Sequence, residues 1–62
     1  MKRIEDITEK DLDVIVVYMD EDIREQVHME LAPCTPDQFV ARYLQLNPDF
    51  ADLLSGEFGI AA

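Results

Sequence analysis

Apolar residues recur at intervals of three and four along most of this chain. The longest stripe runs through Leu12, Ile15, Val16, Met19, Ile23, Val27 and Leu31. A second stripe contains Phe39, Val40, Tyr43 and Leu44, and a third contains Phe50, Leu53, Leu54 and Phe58. This spacing is typical of amphipathic helices that bury one face. It predicts an all-α fold, a small bundle of three or four short helices at about 8–19, 21–31, 36–46 and 48–58, the first two separate or continuous.

Residues that favour helix starts and ends flank these segments. Thr8 and Asp11 have the spacing of a capping box, in which each side chain accepts a hydrogen bond from the other residue's backbone N–H. Thr35 and Gln38 repeat this spacing, and Pro36 stands at the first helical position, where its missing N–H is tolerated. Two further helices are predicted to start at Asp20 and at Asn47. The last helix is predicted to end at Gly59 or, one turn earlier, at Gly56.

The stretch 12–19 is almost wholly apolar and rich in β-branched residues, so a strand is the alternative to a helix there. A helix is favoured because a cap precedes the stretch and the stripe continues in phase beyond it. As a helix, this stretch has a second apolar face formed by Val14, Val17 and Tyr18. Either the helix is the central element of the core, which is the commoner arrangement, or this face meets another molecule.

The expected core consists of residues from the three stripes: Leu12, Ile15, Val16, Met19, Ile23, Val27, Phe39, Tyr43, Leu44, Phe50, Leu53, Leu54 and Phe58. We also expect the other large side chains beside the stripes to pack into this core, which adds Tyr18 and Met29.

The chain has 62 residues, enough for one domain at most. We expect a single helical domain over 1–62, in which residues 1–7 form an N-terminal arm. Cys34 is the one cysteine, so no disulfide forms within the chain, and an unpaired thiol favours a reducing compartment. No apolar run is long enough to span a bilayer. Lys2 and Arg3 are not followed by the apolar region that a signal peptide would have there. These features predict a cytoplasmic protein.

Acidic residues outnumber basic ones by 14 to 5, which gives a net charge of −9. Like charge repels phosphate groups, which argues against direct binding to nucleic acid or to an anionic membrane. The charge favours a partner protein with a basic surface instead. The candidate partner-binding residues are the acids at the start of the predicted second helix, Asp20, Glu21, Asp22 and Glu25. The alternative is that these acids only keep the domain soluble.

A negatively charged helix can also imitate nucleic acid. Carboxylates four residues apart are separated by about 6 Å along a helix, close to the roughly 7 Å that two phosphates of one DNA strand cover. In the predicted second helix, Glu21, Asp22, Glu25 and His28 share one side, with Arg24 against Glu21 and His28. A protein of this kind would bind, without catalysis, a basic site on a host protein that handles nucleic acid.

A second class of function remains open beside the first. In it, the chain is a structural or regulatory module that forms a homodimer or docks a partner helix through Val14, Val17 and Tyr18. The two classes differ in the surface they use, one acidic and one apolar.

The sequence contains no complete set of catalytic residues. It has one histidine, His28, one cysteine, Cys34, and no glycine-rich phosphate loop. A Cys–His pair would need a third group to orient it and a cleft for a substrate. The acids at 20–25 could share a cation but do not meet the EF-hand pattern. We therefore expect a protein that is not an enzyme, with no cofactor and no metal site.

Several segments resemble a group of very short acidic proteins. The segments are DIREQVH at 22–28, ELAPCTP at 30–36, FVARY at 39–43, NPDF at 47–50 and EFGI at 57–60. The group is associated with conjugative and other mobile elements of gut bacteria. The resemblance covers about residues 8–60 and implies a genomic setting in which small acidic proteins counter host restriction or CRISPR systems. It therefore favours the hypothesis of an inhibitor or a nucleic-acid mimic.

Overall fold

The computed structural model describes residues 2–61 of the chain. Most of this range is helical, in the elements α1 (Glu9–Ile15), α2 (Glu21–Leu31), α3 (Pro36–Leu46) and α4 (Phe50–Phe58). The remaining elements are single 3-10 turns at Ile4–Asp6 and Val16–Tyr18, and the short strands β1 (Lys2–Arg3) and β2 (Ile60–Ala61). The prediction of a small all-α bundle is confirmed. Between residues 2 and 61 there is no helix with the length and apolar composition needed to cross a bilayer.

The first helix begins at the predicted cap but ends early. The backbone N–H of Asp11 donates to Thr8 Oγ1 at 3.2 Å, and the N–H of Thr8 donates to Asp11 Oδ2 at 3.0 Å. After Ile15 the chain tightens into the 3-10 turn, and Met19 and Asp20 then adopt extended backbone angles. The preference for a helix over a strand at 12–19 is therefore confirmed, with 3-10 geometry in the last turn, and a helix continuous with α2 is wrong. The extended pair buries the Met19 side chain and leaves Asp20 free to cap the next helix.

The second and third helices begin where the sequence predicted. Asp20 Oδ1 accepts hydrogen bonds from the backbone N–H groups of Asp22, at 3.0 Å, and Ile23, at 3.2 Å. At the start of α3, the N–H of Thr35 donates to Gln38 Oε1 at 3.2 Å. These side chains satisfy backbone groups that have no partner within the helix itself.

The predicted start of the fourth helix at Asn47 is wrong. Asn47 ends α3, and α4 begins only at Phe50 after a turn in which the N–H of Phe50 donates to the Asn47 carbonyl at 3.1 Å. The Asn47 side chain instead donates from Nδ2 to the Tyr43 hydroxyl at 3.2 Å. This hydrogen bond orients the Asn47 amide toward the last turn of α3. Gly59 ends α4 in the left-handed conformation, with φ 63° and ψ 34°, as predicted.

The two ends of the described chain meet. Strands β1 and β2 pair in parallel, with Lys2 opposite Ile60, and the N–H of Lys2 donates to the Gly59 carbonyl at 3.0 Å. Residues 2–7, which fall in the expected N-terminal arm, pack on the bundle here, and Ile7 and Ile60 are both buried. The pairing therefore joins the entry to α1 with the exit from α4.

The core lies around α3, which packs against α1, α2 and the 3-10 turn at Ile4–Asp6. Its buried side chains are Ile7, Ile15, Met19, Val27, Phe39, Val40, Tyr43, Phe50, Leu54 and Ile60. The remaining predicted core residues are half-buried against this set: Leu12, Val16, Ile23, Leu44, Leu53 and Phe58.

Two of the expected core side chains lie on the surface. Met29 is 81% exposed, because it projects from the side of α2 opposite the buried Val27. Tyr18, the last residue of the 3-10 turn, is 53% exposed. The prediction that the 12–19 segment is the central core helix is therefore wrong, and α3 holds that place.

Candidate functional site

The four candidate acids lie together at the beginning of α2, and all are exposed to solvent. Asp20 immediately precedes the helix, Glu21 and Asp22 form its first turn, and Glu25 follows one turn later. Acids are favoured here because the unpaired N–H groups at a helix N-terminus carry partial positive charge. Local helix stability thus places negative charge at this end of α2, which we call the acidic face.

Within the described chain, no basic side chain forms an ion pair with the acidic face. The ion pairs among residues 2–61 involve other acids: Lys2–Asp11 at 2.6 Å, Arg3–Glu5 at 2.8 Å and Arg42–Glu30 at 3.0 Å. Arg24, which is in α2 itself, donates from Nη1 to the backbone carbonyl of Val16 at 3.4 Å. The charge of the acidic face is therefore available to another molecule.

Three of the four acids line two depressions, and Asp20 lines neither of them. Glu21 and Glu25 line a groove between α1 and α2, together with His28. Asp22 borders a shallower hollow on the outer side of α2, and Glu25 is shared by both. The expectation that Asp22 shares one side with Glu21 and His28 is therefore wrong, since successive helical residues are rotated by about 100°.

The groove has a volume of about 450 Å³. Three apolar side chains line it, and all are buried or half-buried: Leu12, Val16 and Phe39. Its exposed acids are Glu21, Glu25 and also Asp13 of α1, which sequence reasoning did not include in the site. The spacing within either helix could not reveal Asp13, because it reaches the groove only through the packing of α1 and α2 on α3.

Glu30 lies at the other border of the hollow and is paired. Arg42 of α3 donates from Nε to Glu30 Oε2 at 3.0 Å, and Gln26 donates to Glu30 Oε1 at 3.3 Å. The hydrogen bond from Arg42, with a further contribution from Gln26, lowers the pKa of Glu30. The same contact raises the pKa of Arg42. Glu30 is thus a charged link between α2 and α3, and its charge is largely neutralised.

A second pair ties the N-terminal strand to α1. The hydrogen bond from Lys2, followed by that from the backbone of Thr8, lowers the pKa of the Asp11 carboxyl group. Both donors reach the same oxygen, Asp11 Oδ2. Asp11 therefore acts in the fold, as a cap and an ion-pair partner.

The alternative candidate surface is apolar and exposed. Val14 is 52%, Val17 is 74% and Tyr18 is 53% exposed. The Tyr18 ring packs edge-on against Phe58 of α4, with 5.4 Å between ring centroids. We call Val14, Val17 and Tyr18 the apolar patch, which is continuous with the half-buried Phe58.

The remaining reactive side chains do not form a complete site. Cys34 is a half-buried free thiol, and it borders, with His28 and the two prolines Pro33 and Pro36, a cleft of about 290 Å³. In residues 2–61, histidine, cysteine and carboxylate groups do not gather in threes as metal ligands. What the described surface offers a partner is charge and apolar area.

Residues 8–46 match the family model of anti-CRISPR protein AcrIC5. The match runs from the cap of α1 to the end of α3, so it includes the acidic face, the groove and the apolar patch. It fits the resemblance to small proteins of mobile elements. Comparisons with curated proteins and with solved structures found no match. Because the family model covers more than half of the 62 residues, the chain belongs to the AcrIC5 family of anti-CRISPR proteins.

Proposed function

We propose that this protein inhibits a host CRISPR system by binding, through Asp20, Glu21, Asp22 and Glu25, a basic surface of a Cas protein. The observation that carries the proposal is the acidic face itself, four exposed carboxylates without an ion-pair partner among residues 2–61. Membership of an anti-CRISPR family supplies the class of target. Inhibition of this kind needs only binding, and no catalytic group takes part.

The physical basis is competition with nucleic acid. CRISPR effector proteins hold guide and target strands in positively charged channels and contact mainly their backbones. An acidic protein that reaches such a surface takes the place of phosphates and releases counterions as nucleic acid does. Glu21 and Glu25 are one helical turn apart, about 6 Å along the axis, which is close to the separation of neighbouring phosphates. The acidic face thus has both the sign and the approximate spacing of the ligand it would displace.

The test compares two variants with equal net charge. The face variant combines Asp20→Asn, Glu21→Gln, Asp22→Asn and Glu25→Gln, in which asparagine retains the helix cap. The control variant changes four exposed acids elsewhere: Asp6→Asn, Asp49→Asn, Asp52→Asn and Glu57→Gln. The measurement is DNA binding by a purified CRISPR effector complex, at low and high salt, with each variant added.

We expect the face variant to inhibit DNA binding at least about tenfold more weakly than the parent, with a reduced dependence on salt. The control variant should inhibit within about threefold of the parent. Equal weakening of both variants would show that only net charge matters, and unchanged inhibition by the face variant would remove these four residues from the site.

A second candidate function is docking or self-association through the apolar patch. The observation in its favour is that three neighbouring apolar side chains remain more than half exposed in a small protein. Val17→Glu is the discriminating change. If sedimentation shows that the parent is a dimer, the folded Val17→Glu variant should be a monomer. A parent that is monomeric at high concentration rules out self-association, and unchanged inhibition by Val17→Glu then rules out docking.

A further inference from the structure

The groove between α1 and α2 has two kinds of lining. Its inner part is apolar, formed by Leu12, Val16 and the buried Phe39. Its exposed border is acidic, with Asp13 on the α1 side and Glu21 and Glu25 on the α2 side. Small cations gain nothing from an apolar floor, and purely apolar groups gain nothing from carboxylates. The lining therefore fits a group that has both an apolar part and a positively charged part.

The basic groups at the groove do not cancel this acidic border. Arg24 also lines the groove, but its guanidinium donates to the Val16 carbonyl at 3.4 Å, and its side chain is partly buried. His28 is the other nitrogen-bearing side chain, and it is exposed. Three carboxylates thus face one arginine that already contacts the backbone, which leaves excess negative charge at the mouth of the groove.

We infer that this groove receives one lysine or arginine side chain of the partner protein. Such side chains have an apolar stem and a cationic end, and they commonly lay the stem on apolar surface while the end stays near water or a carboxylate. The stem would lie on Leu12 and Val16, and the cation would meet Glu21, Glu25 and Asp13. This inference rests on the proposed function and names the chemistry of the contact.

Other occupants fit less well. A second copy of this chain carries a net charge of −9, which would repel the acidic border, and three of its five basic residues, Lys2, Arg3 and Arg42, are already paired with acids. Nucleic acid would bring phosphates to three carboxylates. The positive charge of a basic protein surface complements the acidic border. A lysine or arginine side chain of that surface would also bury its apolar stem against the apolar floor of the groove.

The groove can be filled without a change of net charge. His28→Trp places a large ring at an exposed helical position that lines the groove, and the formal net charge, which does not count histidine, stays at −9. Ser55→Trp is the matched control, since it adds the same ring at an exposed position of α4 outside the groove. We expect His28→Trp to weaken binding to the effector complex at least about tenfold, whereas Ser55→Trp stays within about twofold.

This experiment separates the groove from the acidic face. If His28→Trp is folded and binds like the parent while the face variant binds weakly, the inference about the groove is overturned and the proposed function stands. If the face variant also binds like the parent, the proposed function fails. The salt dependence of binding by His28→Trp should equal that of the parent, because its charges are intact.

A titration of the unaltered protein gives an independent result. The probe is N-acetyl-arginine amide, and N-acetyl-citrulline amide is its control, since citrulline has nearly the same shape without the charge. We expect arginine to cause saturable shifts in the amide NMR signals of Val16, Arg24 and His28 at least about twice those caused by citrulline. Equal shifts for the two probes, or arginine shifts spread over all acidic segments, would contradict a specific site for a basic side chain.

Discussion

The backbone N–H of Asp20 donates a hydrogen bond to the Tyr43 hydroxyl at 2.7 Å, and the Tyr43 side chain is fully buried. The same hydroxyl accepts from Asn47 Nδ2 at 3.2 Å. Tyr43 therefore connects the core of α3 with the first residue of the acidic face. The position of the candidate site depends on a buried side chain that no binding partner would contact.

We expect Tyr43→Phe to lower the free energy of unfolding by about 1–3 kcal/mol, because the Asp20 N–H and the Asn47 amide lose their acceptor. Chemical denaturation measures this change. Tyr18→Phe is the control, since it removes a hydroxyl from a half-exposed ring, and it should change stability by less than about 0.5 kcal/mol. Equal effects of the two substitutions would show that the buried hydroxyl has no special part in the fold.

Two substitutions of Asp20 can separate its role as a helix cap from its role as a charged group in binding. Its carboxylate accepts from the N–H groups of Asp22 and Ile23, so Asp20→Ala should destabilise the protein by about 1 kcal/mol. Asp20→Asn keeps a capping oxygen and should change stability by less than half of that amount. Both variants lose the charge, so both should bind the effector complex less tightly. Weak binding by Asp20→Ala alone would mean that Asp20 acts only through the helix cap.

Asp11 and Glu30, which form ion pairs with Lys2 and Arg42, lead us to expect a loss of stability at low pH. Contacts with Lys2 and Thr8 lower the pKa of Asp11, and contacts with Arg42 and Gln26 lower that of Glu30. A carboxyl group with a lowered pKa in the folded state stabilises the fold above its ordinary pKa. That contribution is lost as pH falls through the lowered value. The relevant window therefore lies below about pH 4.5, the ordinary range of carboxyl groups.

The measurement is the free energy of unfolding between about pH 7 and pH 2, for the parent and for a variant with Asp11→Asn and Glu30→Gln. The difference between the two proteins should be largest at neutral pH and shrink below about pH 4.5. Asp52→Asn is an exposed control outside these ion pairs, and its difference from the parent should stay small throughout. A difference that persists at pH 2 would contradict the assigned ion pairs.

The two glycines near the C-terminal end of the described chain should respond in opposite ways to alanine. Gly56 lies within α4, and an added Cβ would meet nothing within 4 Å, so Gly56→Ala should stabilise by about 0.5–1 kcal/mol. Gly59 has the same free space but a φ of +63°, so Gly59→Ala should destabilise by about 1–2 kcal/mol. Thermal unfolding distinguishes the two. A stabilising Gly59→Ala would contradict the left-handed end of α4.

Much of the fold was predictable because its signals are local. The capping pairs Thr8 with Asp11 and Thr35 with Gln38 join residues three apart, and their hydrogen bonds form in the structure as the spacing predicts. The left-handed Gly59 follows from its missing side chain. The stripes also predicted the side chains that α2 and α4 bury, Val27, Phe50 and Leu54.

The wrong predictions share a different cause. Asn47 is a good helix cap by composition, but it ends α3, and its amide donates to Tyr43 one turn earlier in that helix. The helix expected through residue 19 stops because burial of Met19 and capping by Asp20 require an extended backbone there. In both places a competing contact outweighed the local preference: at Asn47 it lies within α3, and at Met19 it is burial in the core.

The sequence by itself determined that this chain forms short amphipathic helices with acids gathered at the start of one of them, because caps, helix periodicity and charge are properties of neighbouring residues. Only the tertiary structure decided that α3 is central, that Val14, Val17 and Tyr18 stay exposed, and that Asp13 joins Glu21 and Glu25 around an apolar groove. Those relationships arise from the way the other elements pack on α3, and the spacing within a single helix carries no information about the distance to its neighbour.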